Sequence, residues 1–293
     1  LPPTTQVLRQ VNFALSDLTK AALKKRGIEA LFPIQAEVLA PALEGRDVVG
    51  RARTGTGKTL GFSLPIIESL LNNQKEHRNP RCIVLAPTRE LANQVEQEIQ
   101  ATVPSLRTLC VYGGVAISSQ ERPLRRGVDI VVGTPGRLID LIQRGSLNLR
   151  DIEYCVLDEA DQMLAVGFEE DVERIMEEVP EQRQTFLFSA TMPDWVTRIT
   201  KKYLADHVTI DLVGDSKQKV ADTIDVMSCA CSHTSRTTIL ADLVTVYAKG
   251  AKTICFTQTK READEVTAAL GRRMGTEVLH GDIAQAQRER TLK

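Results

Sequence analysis

The sequence predicts an α/β protein in two domains, each built on a parallel sheet covered by helices on both faces. Three observations carry that expectation. Short, continuously apolar, β-rich runs alternate with helix-period segments. A polar, aperiodic stretch interrupts the alternation at residues 213–223. One run, DVVGRARTGTGKT, passes directly from strand to glycine loop to helical pattern. A strand apolar on both faces is buried on both, as in a parallel sheet between helical layers.

The first-domain runs are DVVGRA, CIVLAPT, TLCVYG, DIVVGT, YCVLDEA and TFLFSAT, with helical stretches such as ELANQVEQEIQATV and PGRLIDLIQR between them. We assign residues 1–212 to the first domain, 213–223 (VGDSKQKVADT) to a linker and 224–293 to a second domain. There the alternation restarts with TIDVMSCAC, a helix near 235–247, KTICFT, a helix near 260–272 and TEVLHGD. Three strands are fewer than a sheet of this kind normally holds, so the second domain is expected to continue past Lys293. The lack of an initial methionine predicts a segment upstream of Leu1.

Composition excludes little. Hydrophobic residues at 42% and charged residues at 26% are those of an ordinary globular protein. A net charge of −1 gives no bulk attraction to a polyanion, and leaves room for a local basic face. With aromatics at 4%, ligand stacking must rely on few residues. Cys82, Cys110, Cys155 and Cys255 sit in apolar runs and read as small core residues; Cys229 and Cys231 form a lone CxC, for which burial is favoured over a metal site. This usage suits a reducing compartment. No run of 18 apolar residues predicts a membrane span.

ARTGTGKT, residues 52–59, nearly matches G-x-x-x-x-G-K-[ST], with Ala52 in place of the first glycine. Arg53, Thr54, Gly55, Thr56 and Gly57 would curl the backbone so that its N–H groups meet phosphate oxygens. Lys58 would reach the β- and γ-phosphates, and Thr59 would bind Mg²⁺. Such a loop needs a carboxylate from a second strand end. VLDEAD supplies it: Asp158 for Mg²⁺, and Glu159 to orient and deprotonate the attacking water. The plain alternative is that Asp158, Glu159 and Asp161 only favour a helix N-terminus. That alternative leaves the pairing with a phosphate loop unexplained.

Around these motifs stand GIEALFPIQ at 27–35, PTRELANQ from 87, GG at 113–114, TPGRL at 134–138 and SAT at 189–191, all in order. The chain resembles the DEAD-box ATP-dependent RNA helicase family, most closely its Gu-type branch, over nearly its whole length. The resemblance implies two RecA-like domains, ATP and Mg²⁺ as cofactors, and RNA as partner. It implies that Gln35 reads the adenine edge and Phe13 stacks near the base. Leu31 and Phe32 stand where many members carry proline and threonine. Ser189 and Thr191 would link the γ-phosphate to RNA; as structure alone they would cap the helix after them. RNA contacts would fall on Pro87, Thr88, Arg89, Gly113, Gly114, Thr134, Pro135, Gly136 and Arg137, and in the second domain on Thr257, Gly281, Gln285 and Arg288. Hydroxyls, backbone N–H groups and arginines hold phosphates without reading bases. As structure alone, TPGR is a strand-to-helix turn with proline at N1. His280 and Trp195 read as structural.

The implied activity is ATP-driven unwinding or remodelling of short RNA duplexes and RNA–protein complexes, in ribosome assembly or splicing. A slow-turnover ATP-locked RNA clamp is the alternative. The branch points to chloroplast or nucleolus. The family's later motifs, an aspartate near the ribose and the arginine fingers, are absent. Residues 1–293 alone are therefore expected to hydrolyse ATP poorly.

Overall fold

Seven strands form one parallel sheet in the order β3-β4-β2-β5-β6-β1-β7. They are β1 Val48–Arg51, β2 Cys82–Leu85, β3 Thr108–Val111, β4 Ile130–Gly133, β5 Tyr154–Leu157, β6 Gln184–Ser189 and β7 Val208–Asp211. The computed structural model describes residues 15–73, 79–214, 225–232, 234–271 and 273–292. Contacts divide the chain into two units, the second starting at Lys217.

Side chains alternate along each strand, so neighbours in sequence enter different cores. Ile83 and Leu85 join Cys155, Leu157 and Leu187 on one face; Val84 joins Val132, Val156, Phe186 and Phe188 on the other. Helices α2 Pro33–Leu43, α3 Lys58–Asn72 and α4 Arg89–Thr102 cover the Val84 face. Helices α5 Ile117–Arg126, α6 Pro135–Gln143, α7 Ala160–Ala165, α8 Glu169–Glu178 and α9 Asp194–Tyr203 cover the Leu85 face, where Trp195 is a core residue. The continuous apolar runs are thus buried on both sides, as their composition requires. Strand β7, VTID, is not among the runs recognised from sequence; its alternating polar residues give no continuous apolar run, and Ile210 is its one buried residue.

A small third core joins Leu23 of α1 (Asp17–Lys25) and Leu31 to Leu39, Leu60 and Leu64. Ser16 donates from its amide and its hydroxyl to the Glu68 carboxylate of α3, both at 3.0 Å, which fastens α1 to the helix behind the phosphate loop.

In the second unit α10 Arg236–Leu243 runs into a π-helical turn Val244–Ala248. Helices α11 Lys260–Leu270 and α12 Gln285–Thr291 follow. The three expected strands do not form. The described residues of TIDVMSCAC, KTICFT and TEVLHGD are without ladder partners, and Phe256 is 91% exposed. A parallel strand is held only by neighbours and by helices over both faces, and these segments pair with none. Cys255, Cys229 and Cys231, all expected to be buried, are exposed, whereas Cys82 and Cys155 are buried; all six are free thiols. Residues 215–223 of the expected linker, and Phe13, lie outside the described residues.

Asp47, just before β1, accepts the Thr185 amide at 2.7 Å and the Ala205 amide at 2.8 Å. It thereby fixes β1 between β6 and the approach to β7. Burial pushes its carboxyl up, against those two bonds. Asp47→Ala orphans the buried Thr185 donor and frees the part-buried Ala205 donor, and is expected to lower unfolding stability by about 1–3 kcal/mol in urea titrations; unchanged stability would show that β1 is placed without it.

Candidate nucleotide and nucleic-acid site

The site forms at the carboxyl ends of β1, β6 and β5. The phosphate loop leaves β1 through Ala52 and enters α3 at Lys58. Gly57 has a left-handed backbone (φ 79°), and a Cβ there would collide with the Gln35 amide and the Phe32 ring. Only glycine fits. Thr56 Oγ1 donates to the Arg53 carbonyl at 2.8 Å and tightens the turn.

Lys58 is 5% exposed. Its ammonium donates to the Ala52 carbonyl at 3.1 Å and pairs with Glu159 Oε1 at 2.9 Å. Glu159 sits between β5 and α7 with φ 53° and ψ 53°, a left-handed conformation that costs a non-glycine residue about 1–2 kcal/mol. Its side chain makes no capping bond. Glu159 stands at the N-cap of α7, but its carboxylate is held by Lys58 and caps nothing. Asp158 is buried beside it. Burial first, and then the Glu159 carboxylate, push the Asp158 carboxyl up to about 7, while Lys58 works the other way.

Asp158 Oδ1 and Glu159 Oε2 are buried without a hydrogen-bond partner. Orphaned anionic oxygens at this depth are costly unless a cation or water completes them. With the Thr59 hydroxyl at the start of α3, they suit a magnesium ion carried in with phosphates. Among the described residues no cluster of three or more His, Cys, Asp or Glu side chains forms a metal cage.

Asp161 joins the two sides of the site. Its amide donates to Ser189 Oγ at 3.2 Å, and its Oδ2 accepts from the Thr191 amide at 2.9 Å and hydroxyl at 2.7 Å. Ser189 Oγ donates to the Thr191 carbonyl at 2.7 Å, while its own carbonyl accepts the Ala52 amide at 3.1 Å. The expected capping by Ser189 and Thr191 is replaced by this network; α9 starts at Asp194, after the N-cap Pro193, without a side-chain cap. Asp161 was visible as the third carboxylate of DEAD, but nothing in its spacing gave it a role.

Gln35 is almost fully buried. Its Oε1 accepts the Phe32 amide and its Nε2 donates to the Gly57 carbonyl, both at 2.9 Å. One N–H and one lone pair remain for a base edge. Phe32, in contrast, is half exposed beside the loop.

A DEAD/DEAH box helicase profile matches residues 32–199. This chain belongs to that family. It is 58% identical over 283 residues to DEAD-box ATP-dependent RNA helicase 3B, chloroplastic, of Zea mays, covering 95% of this chain and 38% of the relative. It is 58% identical to DEAD-box ATP-dependent RNA helicase 9, mitochondrial, of Arabidopsis thaliana, covering 92% and 45%. It is 44% identical to ATP-dependent RNA helicase DDX50 of Mus musculus, covering 96% and 40%. A solved DEAD box protein from Methanococcus jannaschii superposes with a TM-score of 0.64 at 37% identity, covering 95% of this chain and 74% of that one. The chain spans about two-fifths of the length of these curated relatives.

The residues expected on RNA divide once the helicase fold is seen. Thr88, Gly114 and Gly136 are exposed, and Arg89 and Gly113 partly so. Pro87, Thr134 and Pro135 are buried and serve the turns, Pro135 as the first residue of α6. The Arg89 guanidinium lies over Gly113 and Gly114, where a Cβ at Gly114 would strike it. Arg137 is turned inward, donating to the Val115 carbonyl at 3.2 Å and Gln120 Oε1 at 2.8 Å. It shapes the glycine loop rather than standing out from it. In the second unit Thr257 donates to the Thr259 carbonyl, Gly281 lies near the Lys260 side chain, and Gln285 donates to Glu289. Arg288 is partly buried on α12. His280 is held by Asp264 at 3.2 Å and by the Asp282 amide at 3.3 Å, in keeping with a structural role.

Removing Lys58 strands Glu159 as a buried, unpaired carboxylate. Lys58→Ala is expected to cost about 3–5 kcal/mol of stability without nucleotide, and adding Glu159→Gln should recover much of it. Urea unfolding of the single and double variants checks this; equal stability of all forms would mean that the pair is not buried in solution.

Proposed function

We propose that the whole protein is an ATP-dependent RNA helicase that separates or remodels short RNA duplexes and RNA–protein complexes. The observation that carries this is the buried arrangement of Lys58, Glu159 and Asp158 at two strand ends, with one oxygen of each carboxylate left unpartnered. Family membership and the names of the relatives support RNA as the partner.

Backbone N–H groups of the phosphate loop, from Arg53 to Thr59, cradle the polyphosphate, while the Ala52 amide stays on the Ser189 carbonyl, and the start of α3 adds favourable partial charge. Lys58 exchanges its carboxylate partner for phosphate oxygens. Magnesium, when bound, neutralises charge on the transferred phosphoryl group; Thr59 and Asp158 would hold it. Glu159, released from Lys58, orients the attacking water and takes its proton. Gln35 offers its remaining N–H and lone pair to the adenine edge, and Phe13 stacks near the base. Ser189, Asp161 and Thr191 tie these movements to the strand ends that carry the RNA-facing loops.

Residues 224–293 belong, in this proposal, to a second RecA-like domain whose Thr257, Gly281, Gln285 and Arg288 hold the same RNA strand. ATP and RNA then favour the same closed state, so each tightens the other. The named relatives support a chloroplast or mitochondrial setting. Pre-ribosomal or intron ribonucleoprotein is the proposed target, within the Gu-type branch.

The deciding measurement is ATP turnover of the full-length protein with and without RNA. RNA should stimulate hydrolysis severalfold or more; RNA-indifferent turnover would sink the helicase assignment, and a long-lived RNA complex with scarcely any turnover would identify a clamp. Glu159→Gln should keep ATP and RNA binding while lowering turnover by about 10²–10⁴-fold. Release of RNA in ATP as fast as from the unaltered protein would remove Glu159 from the base role.

Arg89→Ala should weaken binding to unrelated single strands alike, because it loosens the Gly113–Gly114 loop, whose backbone groups would meet phosphates and not bases. Fluorescence anisotropy on several sequences checks this, and a loss confined to one sequence would indicate a base reader.

A further inference from the structure

Helix α5 turns a basic face to solvent. Its sequence, ISSQERPLRR, holds three arginines and one carboxylate in a chain whose net charge is −1. Ser118, Arg122 and Arg125 fall at i, i+4 and i+7 and therefore line up along one side, with Ser119 and Arg126 beside them. All five are exposed. The other side is anchored. Leu124 enters the core, and Gln120 donates to the Tyr112 carbonyl at 3.0 Å while accepting from Arg137. Glu121 accepts from Ser146 at 2.7 Å.

A solvated helix surface is the ordinary explanation of exposed arginines. Three observations favour a ligand instead. Arg26, Arg51, Arg81, Arg107 and Arg144 of the same unit each hold a carboxylate, whereas the exposed Arg174 and Arg198 hold none among the described residues and stand singly on α8 and α9, not in a row. Arg122 and Arg126 hold none among the described residues, and Arg125 reaches only the largely covered Glu121, at 3.7 Å. The positive groups are all guanidinium forks, with hydroxyls at the head of the stripe and no lysine, a set suited to phosphate oxygens. The stripe also starts where a candidate RNA loop ends, since Arg137 fastens Val115 and Gln120 to the TPGR turn.

We propose that this face of α5 is a phosphate-binding stripe that extends the RNA path beyond the Gly113–Gly114 and Thr134–Arg137 loops. It holds the backbone of the same strand outside the segment those loops grip. From Ser118 to Arg125 the helix rises about 10 Å, enough for a few nucleotides at about 3.4 Å each. The stripe supplies affinity without reading sequence. The inference rests on the RNA reading given above, and the experiment separates the two.

The test uses full-length protein with a non-hydrolysable ATP analogue. Fluorescence anisotropy follows binding of a six-nucleotide and a twenty-nucleotide single-stranded RNA across a salt series. Arg122→Glu/Arg126→Glu breaks no ion pair, so the fold should be kept. Arg174→Glu/Arg198→Glu, on exposed positions of α8 and α9, matches its change in net charge. The α5 variant should bind the six-mer within about twofold of the unaltered protein. It should bind the twenty-mer about tenfold or more weakly, with a salt slope shallower by about 1.4, two phosphates at about 0.7 each. The control variant should change neither. Unchanged twenty-mer affinity and slope, or equal loss for both lengths, would overturn the stripe. If the unaltered protein binds neither RNA, the RNA reading itself fails and the stripe with it.

Discussion

The ion pair between Lys58 and Glu159 joins two strand ends that are not neighbours. Strand β6 lies between β1 and β5, so the phosphate loop and the carboxylates face each other across the end of β6. Ser189 occupies that end, giving its carbonyl to the loop and its hydroxyl to the Asp161 amide. The site thus depends on one fact of topology, the order β5-β6-β1. A buried pair of this kind contributes little net stability once desolvation is counted. In the proposed function its value lies in holding both charges in place and dry until phosphate oxygens compete for the lysine. That exchange would leave Glu159 without its partner and beside the unpartnered oxygen of Asp158.

The left-handed backbone of Glu159 belongs to the same design. Glycine would adopt it without strain, but glycine has no carboxylate to offer Lys58 or a water. Residues kept in such a conformation persist where the surroundings over-determine them. Here the buried partner, the end of β5 and the start of α7 all fix the residue. At Gly57 the opposite choice is made. No side chain is needed, and the space a Cβ would take belongs to Gln35 and Phe32. Through the Gln35–Gly57 bond, the residue proposed to meet the base also restrains the loop proposed to meet the phosphates.

Much of the first unit was legible because its signals are local. A run such as CIVLA must be buried on both faces, and the Gly-Lys-Thr step after a strand fixes both a turn and a chemistry. The doubly covered parallel sheet follows from them. What was not legible depends on distant partners. Asp161 gains its role only when β6 brings Ser189 and Thr191 to it, 28 and 30 residues further on. The expected strands of the second unit had the right composition, but composition supplies no neighbour. Ile254 and Phe256 remain exposed because nothing pairs with their segment. Cys255 misled for the same reason, an apolar run being taken for a buried one.

Arg89 and Arg137 show why motif and function need not meet at the atom first suspected. An arginine in a loop near phosphate invites the picture of a guanidinium gripping RNA. Arg137 instead spends its fork on the Val115 carbonyl and Gln120, and Arg89 lies across Gly113 and Gly114. Each holds a glycine-containing loop in shape. A glycine loop left to itself is a poor binding surface, because ordering it costs about 1–2 kcal/mol per residue in backbone entropy. A loop already ordered by such guanidinium contacts would escape that cost on binding the proposed strand. It then presents backbone groups, which carry no base preference. On this account sequence tolerance in RNA binding comes from where the arginines are anchored as much as from what they touch.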